Sequence, residues 1–466
     1  MMCTTLIAGT KATEDGVMLV ARNEDNEKNN WNKYVFGMRK PQYDTLAPDE
    51  KWTLGNGLTV PVPREKIRYC SIADEENIFE AIAPAGDHYF FEERGINEQN
   101  VAMSATNSMG INKKALAADP TVPSGIEESI MLTLILPQIE SAVDGVKLLG
   151  KYVEEYGASE ANGIAFADEN EAWYMEIGSG HQWIAVRVPD DKYLLVANCM
   201  RIRCVNLEDD SNIKYSAGLF EFVEKFELLD SPERANFDFA SAFGYFEKMN
   251  DPTDLYYNVD RLWLGQKILN PSTCQPARQK TYPLFLTPEN PLTIENVAEV
   301  LRAGYSGTEL DGEATRPIGV VRTAESHIMV LDPSMPDPLK GMIWQTMATP
   351  LACPYMPLFA MTDEIPDIYA KGNSKYDETS AYWRFRGLFA LASRVGRENE
   401  ITNEWIKYEK LLMRKHQNMA EFLKSNGDIR LASEYSKSIL LRAADKASKM
   451  TRELLTRIAM KQTDAP

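Results

Sequence analysis

The sequence predicts an α+β fold in which antiparallel sheets are stacked and flanked by helices. Three observations support this prediction: short apolar strands open the chain, two helices follow within residues 126–156, and four strands then come in quick succession up to residue 196. Helices between two such runs of strands pack on the faces of the sheets. The pattern therefore favours a sandwich over a doubly wound parallel sheet.

The first element is a predicted hairpin. Residues 3–9 and 17–21 are apolar strands, and the polar segment between them ends in the turn signal Asp15-Gly16. If the turn centres near residue 13, paired positions sum to about 25 or 26, which places Arg22 or Asn23 opposite Cys3. A register slip of one or two residues would still leave the polar cluster 22–26 beside the cysteine.

Helices and further strands follow in the middle of the chain. Residues 101–107 form a predicted strand, and two helices cover 126–139 and 142–156, the second of which ends at Gly157. Turn clusters then separate four predicted strands of an antiparallel meander, at 163–167, 172–177, 182–188 and 193–196.

The second half is less regular and ends in helices. Prolines within 250–292 should break any long element there, and Thr293 should cap a helix that runs to Ala303. Two short strands are predicted at 318–322 and 327–331. From residue 381 the pattern turns helical, with an apolar stripe at spacings of three and four that favours core packing or subunit contact.

The predicted domain organisation follows from these elements. We expect one large α+β domain at 3–360, followed by a helical region at 361–466 that packs on this domain or lies at a subunit interface. We also expect a homo-oligomer.

Composition excludes several classes of function. The chain has 466 residues and a formal net charge of -18, so its surface repels nucleic acid and anionic membranes. No apolar stretch approaches the ~20 residues of a membrane span, and no secretory signal is visible. Six scattered cysteines do not resemble a disulfide framework. The expected location is the cytoplasm.

Motifs for metal and cofactor chemistry are missing from the sequence. The four histidines show no HExxH pattern and no pair at ligand spacing on a helix, and the GxSxG, Walker and dinucleotide signatures are absent. We therefore expect neither a metal nor a cofactor. With histidine so scarce, a catalytic cysteine would need another base.

Cys3 is the best candidate for that chemistry, although a cysteine in an apolar run is often only a small buried hydrophobe. If Met1 and Met2 are removed, Cys3 carries a thiol with a pKa of ~8.5 and a free α-amine with a pKa of ~7.7 to 8. The amine can then serve as the base of its own nucleophile. An arginine beside the thiol would lower the thiol pKa, and an aspartate could accept a hydrogen bond from the amine.

The same residues resemble a known family. Cys3-Thr4-Thr5, the Asp15-Gly16 turn and residues 21–25 are similar to the opening of the dipeptidase A-like cysteine peptidases of the N-terminal nucleophile (Ntn) hydrolase superfamily, a group that includes the secernins. The similarity covers most of residues 3–350. It continues in five later segments, at 95–98, 104–107, 168–173, 180–183 and 196–198.

The resemblance implies an αββα fold, hydrolysis of dipeptides and a nucleophilic Cys3 freed from the leader Met1-Met2. It matches Arg22 and Asp25 to an arginine and an aspartate on the strand that follows the nucleophile. Asn107 and Asn198 match two asparagines of the oxyanion environment. A later arginine of the relatives' site has four possible counterparts here, Arg201, Arg203, Arg316 and Arg322.

Three hypotheses stay open from the sequence. The first is a dipeptidase. The second is an amidase of the same superfamily that cleaves N-acyl or conjugated amides, like the related penicillin V acylases and bile salt hydrolases. The third is a non-enzymatic scaffold that keeps the fold and uses its helical region for partner contact.

Overall fold

Two large antiparallel sheets, of seven and eight strands, form the centre of the described structure. The computed structural model describes residues 3–25, 33–74, 91–245, 252–314, 316–372 and 375–463. The predicted leader, Met1 and Met2, lies outside the described residues.

The seven-stranded sheet holds the first hairpin near its middle. From edge to edge its strands are β14 (Phe285–Leu286), β12 (Tyr193–Val196), β1 (Thr4–Ala8), β2 (Met18–Asp25), β15 (Thr323–Leu331), β16 (Gly341–Thr346) and β17 (Met356–Phe359).

The eight-stranded sheet lies against it and contains most of the predicted meander. Its strands are β13 (Ile213–Tyr215), β11 (Trp183–Arg187), β10 (Ala172–Ile177), β9 (Ala161–Ala167), β8 (Ala102–Met109), β7 (Glu92–Asn97), β6 (Tyr69–Asp74) and β3 (Lys33–Arg39). A separate ribbon consists of β4 (Lys51–Thr53) and β5 (Thr59–Pro61).

Helices cover both sheets. They are α1 (Lys113–Ala118), α2 (Glu128–Ile135), α3 (Ala142–Tyr156), α4 (Leu219–Lys225), α5 (Phe239–Phe243), α6 (Pro252–Leu269), α7 (Ile294–Arg302), α8 (Ala381–Arg394), α9 (Glu398–Asn426) and α10 (Ile429–Thr463). Single 3-10 turns lie at Thr10–Ala12, Leu136–Gln138, Arg234–Asn236 and Asp337–Leu339. Since α2 and α3 contact the eight-stranded sheet and α6 and α7 the seven-stranded one, the predicted αββα order is confirmed.

Strand alternation explains why both faces of the eight-stranded sheet are buried. On β9, Ala165 belongs to the apolar cluster between the two sheets, whereas Ile164 and Phe166 belong to a second cluster with Leu132 of α2 and Val146 of α3. Successive side chains on a strand point to opposite faces, so one apolar strand supplies both cores. Residues on the inter-sheet face of one sheet can therefore reach the other sheet.

Local capping sets the bounds of α3, which the sequence predicted correctly. The Ser141 side chain accepts a hydrogen bond from the Asp144 backbone N–H, which satisfies one of the open donors of the first turn. Gly157 follows the helix with φ of 75°, a conformation that favours glycine and ends the helix.

Three predicted elements were wrong. Residues 318–322 form no strand. The helix predicted to run to residue 139 ends at Ile135 and continues as a 3-10 turn, because Pro137 cannot donate the next helical hydrogen bond. The 18-residue helix α6 occupies part of the segment in which prolines were expected to break any long element; Pro252 stands at its first position, where proline is tolerated.

Pairing also differs from the prediction in two places. The strand at 193–196 leaves the meander and pairs with β1 in the other sheet, with Leu6 opposite Leu195. In the first hairpin Thr4 is opposite Asn23, so paired positions sum to 27 and not to 25 or 26. A 3-10 turn at Thr10–Ala12 lengthens the connection and moves the centre of the hairpin.

Candidate functional site

Cys3 lies directly before β1 and is fully buried. The observed register brings it level with Glu24 rather than with Arg22 or Asn23. Arg22 nevertheless reaches the thiol, because its side chain is long: Nη2 donates to Cys3 Sγ at 3.1 Å. The same Nη2 donates to Glu128 Oε1 at 3.0 Å, so α2 helps to hold the guanidinium beside the sulfur.

Burial and the charge of Arg22 shift the pKa of the Cys3 thiol in opposite directions. Burial raises the pKa of Cys3 to about 12, while the guanidinium of Arg22 lowers it. The carboxylates of Glu128 and Asp25 raise it further, and a hydrogen bond from the Asp25 backbone favours the thiolate. Arg22 thus lowers the pKa as the sequence predicted, but burial has the larger effect and the pKa of the thiol is raised overall.

Asp25 is the last residue of β2 and its carboxylate is buried. Thr323 Oγ1 donates to Asp25 Oδ1 at 2.5 Å, and Arg316 Nη2 donates to Oδ2. Burial raises the pKa of this carboxyl, and the charge of Arg316 opposes the shift. Each oxygen of the carboxylate thus accepts a hydrogen bond from a different side chain, and the backbone of Asp25 contacts the sulfur of Cys3.

Asn107 reaches the site from the other sheet. It lies on β8 just after a register shift between Ala105 and Asn107, an irregularity that re-aims side chains. Its Oδ1 accepts a hydrogen bond from Thr5 Oγ1 at 2.9 Å, and its Nδ2 donates to Ala197 O at 3.4 Å. The side-chain amide is therefore oriented by β1 and by the segment after β12.

Asn198 follows β12 and joins three elements. Its Nδ2 donates to Ser108 O at 3.0 Å, and its backbone N–H donates to Asn258 Oδ1 at 3.0 Å. Arg261 Nη2 donates to Asn198 Oδ1 at 2.9 Å, while Arg261 Nη1 donates to Cys3 O at 2.8 Å. One guanidinium on α6 therefore links Asn198 to the backbone of the candidate nucleophile.

Of the four later arginines proposed from the sequence, one contacts a predicted site residue. Arg316 holds the Asp25 carboxylate, and Arg322 Nη2 donates to Tyr257 Oη at 3.1 Å. Arg201 donates to the carbonyls of residues 282 and 283, and Arg203 pairs with Asp238.

Sequence reasoning missed Arg261 and Glu128. Both residues are at least 97 % buried, and burial together with Arg316 lowers the pKa of Arg261 to about 10. Arg261 stands on the helix that the sequence did not predict, and Glu128 opens α2. No motif marks either residue, because the contact of each depends on how a helix packs on a sheet.

None of the described histidines takes a direct part in this arrangement. His327 is opposite Arg22 across β15 and β2, but its ring is held between Glu325 at 2.8 Å and Ser104 at 3.0 Å. Among the described residues, no group of three His, Cys, Asp or Glu side chains could hold a metal ion. The described site is therefore a buried thiol surrounded by guanidinium, carboxylate and amide groups.

Comparison with known proteins identifies the family. The model of Peptidase family C69 matches residues 2–407. The chain belongs to peptidase family C69. The membership predicted from Cys3 and the later segments is confirmed, and this C69 chain is a peptidase.

Curated relatives of the C69 peptidase carry dipeptidase names. A probable dipeptidase of Latilactobacillus sakei is 36% identical over 397 residues, covering 83% of this chain and 80% of the relative. A probable dipeptidase of Salmonella dublin is 37% identical over 372 residues, covering 77% and 80%. Probable dipeptidase A of Streptococcus pyogenes serotype M3 is 33% identical over 402 residues, covering 84% and 83%.

One matching solved structure has much lower sequence identity to the C69 peptidase than these relatives. A variant of conjugated bile acid hydrolase from Clostridium perfringens is 14% identical, covering 73% of this chain and 88% of that one, with a TM-score of 0.29. Among the described helices of the C69 peptidase, none is long and apolar enough to cross a membrane.

Proposed function

We propose that this C69 peptidase is a dipeptidase in which Cys3, freed from Met1 and Met2, is the nucleophile and its α-amine the general base. The observation that carries the proposal is the hydrogen bond from Arg22 to Cys3 Sγ at 3.1 Å, because a guanidinium donor stabilises the thiolate that attacks. The names of the curated relatives support dipeptides as the substrates.

The mechanism is acyl transfer through a thioester. The amine of Cys3 takes the thiol proton, directly or through one water, and the sulfur attacks the dipeptide carbonyl carbon. The C–N bond then breaks as the leaving amine takes a proton, and water hydrolyses the thioester to release the acid and restore the thiol. Arg22 and Asp25 hold the amine and tune the thiol.

The two asparagines act on the substrate in this mechanism. The side-chain amide of Asn107, together with a backbone N–H, stabilises the oxyanion of the tetrahedral intermediate. One N–H of its Nδ2 donates to Ala197 O at 3.4 Å, which leaves the second N–H of the same nitrogen for the oxyanion. Asn198 orients the amine or the substrate, and the link through Arg261 to Cys3 O keeps it close to the nucleophile.

A substrate panel tests the proposed activity. We expect purified enzyme to hydrolyse unblocked dipeptides, with a Cys3→Ser variant as the inactive control. Hydrolysis of only N-acyl or conjugated amides would replace the dipeptidase with the related amidase. An enzyme inactive on both classes, with a normal fold, would leave the scaffold hypothesis.

The remaining parts of the proposal concern maturation, location and organisation. We place the catalytic domain at 3–360 and the helical region at 361–466, with maturation by removal of Met1 and then Met2, the second step autocatalytic. The proposed location is the cytoplasm, and the reaction needs no metal or cofactor. Cell fractionation and N-terminal sequencing of native enzyme test location and maturation.

The proposed homo-oligomer uses a groove between α9 and α10. This groove, of about 850 Å³, is lined by Leu411, Phe422, Lys415, Arg442 and Lys446, among others, and Phe422 is 50% exposed. Residues 408–466 carry 12 Lys and Arg against 7 Asp and Glu, whereas the rest of the chain carries 38 against 61. We propose that the basic groove of one copy binds the acidic surface of a second copy.

Light scattering tests this association. We expect an oligomer at low salt that dissociates as salt screens the charges, and a Lys415→Glu/Arg442→Glu variant that is monomeric. A wild-type chain that stays monomeric at high protein concentration would contradict the proposal. An oligomer unaffected by the double variant would place the interface elsewhere.

A further inference from the structure

Glu176 is a buried carboxylate behind the candidate site. It lies on β10, opposite Gly163 of β9 and Ile184 of β11, and is fully buried. Its Oε1 accepts a hydrogen bond from the Arg201 backbone N–H at 2.6 Å, and its Oε2 accepts one from the Ile202 backbone N–H at 3.2 Å. Both carboxylate oxygens are therefore used to hold the main chain.

The main chain that Glu176 holds also positions both candidate asparagines. The turn at 197–202 begins with Ala197, whose carbonyl accepts from Asn107, and continues with Asn198, which contacts Arg261. Glu176 fixes the other end of this turn. A turn that is anchored at both ends keeps its side chains in one geometry. If one end is released, the turn can move by a fraction of an ångström, and such a shift is enough to slow a reaction.

We propose that Glu176, in its ionised form, is a positioning residue that fixes the 197–202 turn and so holds Asn107 and Asn198 in the geometry that hydrolysis needs. This inference rests on the proposed function. It adds a residue that lies outside the site and acts through the backbone.

The requirement for the ionised form follows from hydrogen-bond chemistry. A carboxylate accepts at both oxygens, while a protonated carboxyl has an O–H donor at one of them. Protonation of Glu176 would place this O–H donor opposite a backbone N–H donor. One of the two hydrogen bonds to the Arg201 and Ile202 amides would then be lost. A glutamine would place its NH₂ in the same conflict, which makes Glu176→Gln a mimic of the protonated state.

The groups that face Glu176 decide where it titrates. The guanidinium charges of Arg201 and Arg203 favour the carboxylate, and Tyr174 and Cys199 are the other titratable groups nearby. Arg201 donates its own guanidinium to Tyr282 O, and Arg203 pairs with Asp238, so neither neutralises the carboxylate by direct contact. Burial raises the pKa of Glu176 to about 7, which places its titration within the physiological range.

The first test compares pH profiles of dipeptide hydrolysis. As pH falls, protonation of the Cys3 amine should lower kcat in every variant, and protonation of Glu176 should lower it further in the wild type. We expect Glu176→Gln to have kcat about tenfold lower at pH 8 with little change in KM, and to lack only this second loss. Glu171→Gln is the matched control, because Glu171 lies just before the same strand and pairs with Arg187 near the surface. A Glu176→Gln profile that superimposes on the wild type would overturn the inference.

The second test needs neither activity nor a variant. Hydrogen exchange of wild-type protein, corrected for the intrinsic rate, should show about tenfold less protection of the Arg201 and Ile202 amides at pH 6 than at pH 8. The amides of β11 serve as the internal control. Equal protection at both pH values would overturn the inference, whereas a wild type that hydrolyses no dipeptide would reject only the proposed function.

Discussion

Two buried cysteines of this C69 peptidase, Cys3 and Cys353, differ in the side-chain and carbonyl groups that contact the sulfur. Both are fully buried, and burial raises the pKa of each thiol to about 12. Cys3 Sγ accepts a hydrogen bond from the guanidinium of Arg22. Cys353 Sγ lies 3.5 Å from Thr349 O and 3.7 Å from Ala348 O, which accept from its S–H. The nearby Arg302 donates instead to Pro350 O and Glu409.

Burial therefore does not distinguish the proposed nucleophile from a core cysteine. A cationic donor on the sulfur favours the thiolate, whereas carbonyl acceptors require the thiol to keep its proton. In the proposed mechanism, Cys3 also gains a free amine on maturation. Partner type and chain position, rather than exposure, therefore distinguish the two.

The largest expected effect separates the two cysteines directly. Cys3→Ala should lower kcat for dipeptides by about 10⁴ or more, because the nucleophile is lost. Cys353→Ala should leave kcat within about threefold and lower the free energy of unfolding by about 1 to 2 kcal/mol through the cavity it leaves. Steady-state kinetics and chemical denaturation measure both. Similar losses of activity in the two variants would break the comparison.

The guanidiniums provide the second test. Arg22→Gln should lower kcat by about 10² to 10³, since it removes the charged donor on the reacting sulfur. Arg302→Gln is the control: it breaks a buried ion pair with Glu409, so it should lower the melting temperature while activity per folded molecule stays near wild type. An Arg22 variant as active as the wild type would mean that the contact with Cys3 is structural only.

The third test concerns Asn107, the residue proposed to stabilise the oxyanion of the substrate. We expect Asn107→Ala to lower kcat by about 10² to 10³, the usual cost of one oxyanion donor, with less effect on KM. Asn97→Ala is a matched control, because this buried asparagine on the neighbouring strand β7 donates to backbone carbonyls away from the site. Equal kinetics of the Asn107 variant and the wild type would remove this residue from the mechanism.

The smallest effect concerns what the two cysteines share. As pH rises, the thiol of the unfolded chain, with a pKa of ~8.5, loses its proton first. The thiol of the folded protein, whose pKa is raised by burial, keeps its proton to a higher pH. The stability from each cysteine is therefore complete below pH ~8.5 and declines above it, by about 1.4 kcal/mol per pH unit. Denaturation at pH 8 and pH 10 should show a shallower decline in Cys353→Ala. An unchanged slope would contradict the raised pKa.

Much of the site could be predicted because it lies on one local hairpin. Cys3, Arg22 and Asp25 are brought together by the pairing of β1 with β2, and a register error of one or two residues did not separate them. The bounds of α3 could be predicted for the same local reason, since Ser141 and Gly157 act on the adjacent backbone.

The rest of the site depends on contacts between distant segments. Three of its contacts depend on how one element packs on another, namely those of Arg261, Glu128 and Glu176. Neither the spacing nor the polarity of residues in the sequence predicts that packing. Asn107 and Asn198 were named by family resemblance. The structure connects them to β1 and to Arg261, and their role in the reaction stays a prediction.

The most direct test of the proposed mechanism is the intact mass of the active enzyme. Mass spectrometry of the purified chain, with active-site titration of the same sample, gives the first residue of the molecules that turn over. We predict that they begin at Cys3 and that a Cys3→Ala chain keeps Met2. Full activity in molecules that retain both Met1 and Met2 would contradict the account, because the amine of Cys3 would then be part of a peptide bond.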